Sequence, residues 1–166
     1  MRVCLDIQAA MAQRAGVGRY VACLASHLAQ QRPPDAALQL FCFDARGRAG
    51  FDPPPGTSLR RLRWLPGRVA QKAWAWFRAP PFDWLAGEAD VFHFPNFIRP
   101  PLRRGRSVVT IHDLSFLRCP HTTEERNLRF LRTHIAETVA RADAILTDSR
   151  TIGEELRAQW PEAAAR

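Results

Sequence analysis

Three features of the 166-residue sequence predict an α/β fold, Rossmann-like and doubly wound around a mostly parallel sheet. Short β-branched, apolar runs alternate with segments of helical periodicity, and no internal repeat interrupts them. A glycine-bearing loop separates the first apolar run from the first long helical segment. Polar residues collect just after the apolar runs, and open α/β sheets bind ligands beyond the carboxyl ends of their strands.

Arg2 to Ile7 reads as a buried strand, followed by a polar, flexible stretch from Gln8 to Gly18. Tyr20, Cys23, Leu24 and Leu28 then fall on one helical face, and Pro33-Pro34 ends that helix near Gln31. Ala37 to Asp44 is a second strand, which completes a βαβ unit with parallel strands. After a Gly- and Pro-rich loop from Ala45 to Ser58, Leu59 to Leu65 alternates as an edge strand. Ala89 to Phe94 and Ser107 to Ile111 are strands flanking a Pro-rich loop from Asn96 to Gly105. Thr123 to Arg141 is a long helix with Leu128, Leu131, Ile135 and Val139 on one face. Ala144 to Thr147 is a last strand, and Thr151 to Trp160 a last helix, opened by Ser149 or by Thr151.

Composition narrows the function classes. An apolar content of 46% excludes wholesale disorder, and no run of apolar residues is long enough to span a bilayer. Asp6 puts an acid inside the first apolar stretch and no apolar h-region or cleavage site follows, so a signal peptide is not expected. The cysteines, Cys4, Cys23, Cys42 and Cys119, lie far apart and read as buried cytosolic thiols rather than a disulfide framework or a zinc site. The net charge of +8 comes almost wholly from Arg, since Lys72 is the only Lys. It suits an anionic partner without choosing among nucleic acid, lipid headgroups and a phosphorylated small molecule.

Four constellations carry candidate chemistry. Gly16-Val17-Gly18-Arg19 opens a helix, where glycines allow close backbone approach and free N–H groups attract an anion. The alternative is a plain glycine turn, because the third glycine of a dinucleotide fingerprint is missing. The strand from Val108 to Ile111 ends in His112-Asp113: an imidazole placed where such sheets bind ligands, and a carboxylate that either joins it or caps the next turn. His93, Pro95 and Asn96 follow the same logic one strand earlier, with a core histidine as the competing reading of His93. No histidine or cysteine pair has metal-ligand spacing, so neither a metal nor another cofactor is expected. Ser149 lacks the context of a nucleophilic serine.

The fourth constellation is basic and aromatic. Arg60 to Trp84 holds four of the five Trp and six cations, with Asp83 the only acid. Helical spacing puts Val69, Ala73, Trp76 and Phe77 on one face, with Arg68 and Lys72 at its border. Arg68, Lys72, Trp74, Trp76, Phe77 and Arg78 form a surface suited to an anionic membrane or to an acceptor. Packing of the rings on the sheet, or against a second domain, is the other reading.

The order and spacing of several pieces resemble the N-terminal, acceptor-side domain of the GT-B glycosyltransferases of family 4. They are Arg2 to Asp6, Gly16-Val17-Gly18-Arg19-Tyr20, Ala89 to His93 with Pro95-Asn96, Val108 to Leu114, and Ala142 to Ile145 followed by Thr147 and Ser149. The likeness spans nearly the whole chain, although Thr147-Asp148-Ser149-Arg150-Thr151 departs from the family's usual VSxxS stretch. It implies a Rossmann-like domain over residues 1–166, truncated before a C-terminal nucleotide-sugar-binding domain of the same polypeptide. It implies retaining transfer of a sugar from a nucleotide-sugar to a saccharide or lipid-linked acceptor in polysaccharide and cell-envelope biosynthesis. Catalysis then involves His112; Gly16, Val17, Gly18 and Arg19 serve the donor phosphates; His93, Pro95, Asn96, Asp113 and Ser149 border the acceptor cleft. The glycine loop and His112 are expected to open into one crevice. The expected location is the cytoplasm, peripheral on the inner face of the cytoplasmic membrane. Two alternatives stand beside this reading: a non-catalytic sugar- or nucleotide-binding module, and a basic nucleic-acid-binding α/β domain.

Overall fold

The computed structural model describes residues 1–12, 15–47, 50–122 and 124–165. Its strands are β1 (Arg2–Asp6), β2 (Ala37–Phe43), β3 (Ser58–Leu62), β4 (Val91–Phe94), β5 (Arg106–Ile111) and β6 (Ala144–Thr147). They form a six-stranded sheet in the order β3-β2-β1-β4-β5-β6. The pairs β1–β2, β1–β4, β2–β3 and β5–β6 are parallel, so the chain is the α/β, mostly parallel, Rossmann-like fold that its alternating pattern predicts. The strand order reverses between β1 and β4, which is the topological switch point of such a sheet.

The chain divides into two compact units, Met1–His93 with Pro100–Arg106, and Phe94–Arg99 with Ser107–Arg166. The first carries α1 (Gln8–Ala12), α2 (Val17–Gln31), α3 (Gly67–Phe77) and α4 (Phe82–Ala86). Period-two alternation along its strands sends side chains to two cores. On one face Leu5, Ile7, Leu38, Leu40 and Cys42 pack with Val21, Ala25 and Ala29 of α2. On the other, Phe41 meets Phe82 at 4.8 Å between ring centroids, and Phe82 meets Phe92 at 5.9 Å. Each of these three rings is fully buried, worth roughly 2–3 kcal/mol apiece.

Three local expectations are corrected. Gln8 to Ala12 is helical rather than loose: Asp6 Oδ1 accepts the Gln8 N–H at 2.9 Å, and Gln8 Oε1 accepts the Phe43 N–H at 2.8 Å. A five-residue helix is too short to show a period. The buried stripe of α2 is Gly18, Val21, Ala25 and Ala29, with Tyr20, Leu24 and Leu28 at its flanks. Small residues let the helix sit close to the sheet, and this turns Cys23 outward. Cys23 is therefore exposed; Cys119, just past the Ser115–Arg118 helix, is exposed too, while Cys4 and Cys42 are buried. Burial pushes the Cys4 thiol up to about 12 and the Cys42 thiol to about 11, with the nearby carboxylates of Asp6 and Asp44 adding to the effect, so both stay protonated.

The second unit carries α5 (Ser115–Arg118), α6 (Glu125–Arg141) and α7 (Arg150–Gln159). Leu131, Ile135 and Val139 of α6 are buried together with Val109 and Ile111 of β5, as the helical spacing predicts. A polar knot fixes the start of β5. Asp143 Oδ2 accepts both the Ser107 N–H and the Ser107 hydroxyl at 2.8 Å, and Arg99 Nε donates to Ser107 Oγ at 2.9 Å. The Arg99 N–H donates to Thr138 Oγ1 at 3.1 Å, tying the loop after β4 to α6.

Candidate functional site

In the first unit the switch point brings together the ends of β1 and β4, with Leu5 and His93 in register. Asp6 closes β1. Burial pushes its carboxyl up to about 6 against the opposing hydrogen bond from Gln8. His93 is buried, and desolvation lowers its imidazole to about 4, so it is neutral near pH 7. Its surroundings fit the core-histidine reading.

The glycine loop leads into α2. Gly16 is exposed, with φ 56° and ψ −129°, and its carbonyl accepts the Tyr20 N–H at 3.0 Å. Nothing lies within 4 Å of the place a Cβ would take, so the positive φ, and not crowding, is what asks for glycine. No side chain caps this helix start, Gly18 is buried, and Arg19 is exposed. Val17 is half-buried and packs into the α2 core. The first-turn N–H groups are thus oriented as an anion would require.

In the second unit β5 ends at His112, whose ring is held from two sides. Nδ1 lies 2.8 Å from Asp148 Oδ2, and Nε2 lies 2.9 Å from the Pro95 carbonyl. The Phe97 ring stands edge-on at 5.6 Å. Phe97 has φ 60°, a sparsely populated backbone state for a bulky residue, and its N–H donates to the Thr110 carbonyl at 3.0 Å. The imidazole therefore fastens the loop after β4 to the loop after β6. The His112 side chain is only 10% exposed, whereas that of Asp148 is 44% exposed.

The remaining predicted residues divide. Asp113 caps the next turn: its Oδ1 accepts the Ser115 N–H at 2.9 Å and the Ser115 hydroxyl at 2.5 Å. Ser149 is the N-cap of α7, its Oγ accepting the Ile152 N–H at 3.3 Å, and Thr151 lies within the first turn. Asn96 is exposed beside Pro95. On α3, Trp74 turns inward against Phe43 at 5.9 Å and donates its indole N–H to the Pro80 carbonyl at 2.7 Å, so it does not belong to the surface set. Trp76 and Phe77 are 81% and 75% exposed. Arg68, Lys72 and Arg78 are exposed as well.

Sequence reasoning counts Asp148-Ser149 among the positions just after a strand but gives Asp148 no role, and it gives Asp6 none. Each carried a usable signal, an acid at the carboxyl end of an apolar run. A cleft of about 640 Å³ also opens at the start of β1, at the other end of that strand from Asp6. Its Arg2 is matched by Glu88 at 3.5 Å and by Asp90, which accepts the Arg2 N–H at 2.6 Å. Among the described residues no group of three or more His, Cys, Asp or Glu could hold a metal ion, and no helix is long and apolar enough to cross a membrane.

The family model for Glycosyltransferase Family 4 matches residues 14–166. The chain belongs to glycosyltransferase family 4. That match runs from the glycine loop through β5, His112 and the start of α7. No curated protein matches the sequence. The family 4 assignment and the parallel sheet agree with a Rossmann-like half of the GT-B architecture.

Proposed function

We propose that this family 4 domain is the acceptor-side half of a retaining glycosyltransferase that moves a sugar from a nucleotide-sugar to a saccharide or lipid-linked acceptor. A second α/β domain grips the nucleotide in this reading. The transfer needs a diphosphate leaving group stabilised and a hydroxyl aligned for attack. The uncapped first turn of α2 and Arg19 serve the diphosphate. Pro95, Asn96 and the loop after β6 serve the acceptor side.

The observation that carries the reading is the fixed ring at the end of β5. His112 is oriented before any ligand arrives, by a carboxylate on one nitrogen and a carbonyl on the other. Such preorganisation is what a reacting group needs. The exposed Asp148 carboxylate leaves Oδ1 to take a sugar hydroxyl, so His112 and Asp148 act together in placing the sugar. His112 is not a general base here. Attack comes from the face the leaving group departs, and the leaving phosphate takes the hydroxyl proton.

The test is a donor screen on the full-length polypeptide with a panel of nucleotide-sugars. Turnover with one donor, and a drop in kcat of about tenfold for Asp148→Asn, is the expected result. The 166-residue chain alone is expected to turn over none of them. Absence of turnover by the full-length polypeptide with every donor, or turnover by the isolated domain, overturns the proposal.

A further inference from the structure

The amino ends of the strands carry a cleft that the fold class does not account for, since open α/β sheets bind ligands at the other end. It lies within the first unit, at the start of β1, and its volume of about 640 Å³ is that of a small-molecule site. The backbone ties its walls together. The Arg2 N–H donates to Asp90 Oδ2 at 2.6 Å, and the Asp90 N–H donates to the Arg2 carbonyl at 2.9 Å. The Arg106 N–H donates to the Asp90 carbonyl at 2.8 Å, and the Arg103 N–H to Oδ1 of the buried Asp83 at 2.9 Å. Gly105, on the cleft wall, has φ 83°, and a Cβ there would stand 2.7 Å from the Ala89 carbonyl oxygen. The cleft is therefore formed before any ligand arrives.

The side chains select the ligand. Arg2, Arg103 and Arg104 line the cleft together with Asp83, Glu88 and Asp90, so guanidiniums and carboxylates balance in a chain whose net charge is +8. A polyanion gains nothing from such a lining. Trp84 and Ala89 supply its apolar side chains, too few for a lipid chain or for the side chains of a peptide. Trp84 is 60% exposed, and the Arg103 guanidinium stands 5.9 Å from its ring centroid, which steadies the indole. One open aromatic platform among donors and acceptors suits a ligand with an apolar ring face and hydroxyls around its edge. A hydroxyl donates to a carboxylate and accepts from a guanidinium, and both bonds are charge-assisted. Glu88 and Asp90 each meet Arg2 through one oxygen, and a carboxylate has a second to offer.

We propose that this cleft binds a neutral oligosaccharide, with one sugar ring against the Trp84 indole and its hydroxyls shared between the guanidiniums of Arg103 and Arg104 and the carboxylates of Glu88 and Asp90. The proposal goes beyond the transferase reading and does not depend on it. It concerns residues which that reading does not use, and its test reads binding and not turnover.

The 166-residue chain, isotope-labelled for NMR, is titrated with maltopentaose, cellopentaose and mannopentaose, and separately with inorganic pyrophosphate. The Trp84 indole signal is identified by its absence from Trp84→Phe. At least one pentasaccharide should move that signal together with the backbone N–H signals of Arg103 to Gly105. Trp84→Ala should weaken binding by at least about tenfold, Trp84→Phe should keep part of it, and Arg104→Ala should weaken it about fivefold. Both alanine variants are at exposed positions and should keep the wild-type circular dichroism. His112→Ala should bind as the wild type does. No shift with any of the three sugars, shifts confined to other residues, or binding unchanged in Trp84→Ala overturns the proposal. So does a response to pyrophosphate alone, which would assign the cleft to anions. Binding lost in His112→Ala but kept in Trp84→Ala also overturns it, by placing the sugar at the end of β5, and leaves the transferase reading standing.

Discussion

His93 and His112 look alike in the sequence, each an imidazole at the end of an apolar strand, and the fold treats them in opposite ways. His93, on β4, is buried, and desolvation holds it neutral. His112, just past β5, is held by a carboxylate and a carbonyl, one of them on an exposed side chain. A strand end alone therefore does not decide how a histidine is held. What separates the two is that burial lowers the His93 imidazole to about 4, whereas the His112 ring meets a carboxylate on an exposed side chain.

Placing a cation at each position breaks the comparison most severely. His93→Lys buries an ammonium in a desolvated place and should cost on the order of 3–5 kcal/mol. His112→Lys keeps two acceptors within reach, Asp148 and the Pro95 carbonyl, and should cost about 1 kcal/mol. Urea melts of the two variants check both values.

A smaller effect is the pH dependence of stability in the first unit. The folded chain holds the Asp6 proton up to about 6, while an unfolded Asp releases it near 3.8. Between those values the folded state binds more protons, so the Asp6 contribution to stability falls as pH rises. An unfolded His takes up a proton near 6.5, and His93 only near 4. There the unfolded state binds more protons, and the His93 contribution rises with pH. The two slopes oppose each other between about 4 and 6. Asp6→Asn should leave stability rising with pH across that window, and His93→Gln should leave it falling. Thermal melts from acid to neutral pH read the sign directly.

A further effect lies in the second unit, away from both histidines. Ser107→Ala removes the hydroxyl that links Arg99 to Asp143 and should cost about 1–2 kcal/mol. Calorimetry of the variant measures it.

Much of the fold was legible because periodicity reports backbone state. Strands β2, β5 and β6, the edge strand β3 and the buried face of α6 follow from alternation or helical spacing. Two things resisted. α1 is too short to repeat, and it rests on the hydrogen bonds of Asp6 and Gln8 instead. In α2 and α3 the spacing located a helix without showing which side the sheet would cover. Small residues take part of the contact in both, Ala25 and Ala29 beside Val21 in one and Ala70 beside the inward-turned Trp74 in the other. The candidate site was legible at His112, which ends the clearest apolar run. Asp148 was harder to see, because its partner lies 36 residues away in the sequence and only the parallel pairing of β5 with β6 brings them together.

The most direct measurement compares kcat for His112→Ala and His93→Gln in the full-length polypeptide, with the donor that supports turnover at saturation. The expected result is a loss of roughly 100-fold for His112→Ala and a near-normal kcat for His93→Gln while it remains folded. Equal losses in the two variants, or full activity without the His112 ring, would contradict the assignment of sugar transfer to the end of β5.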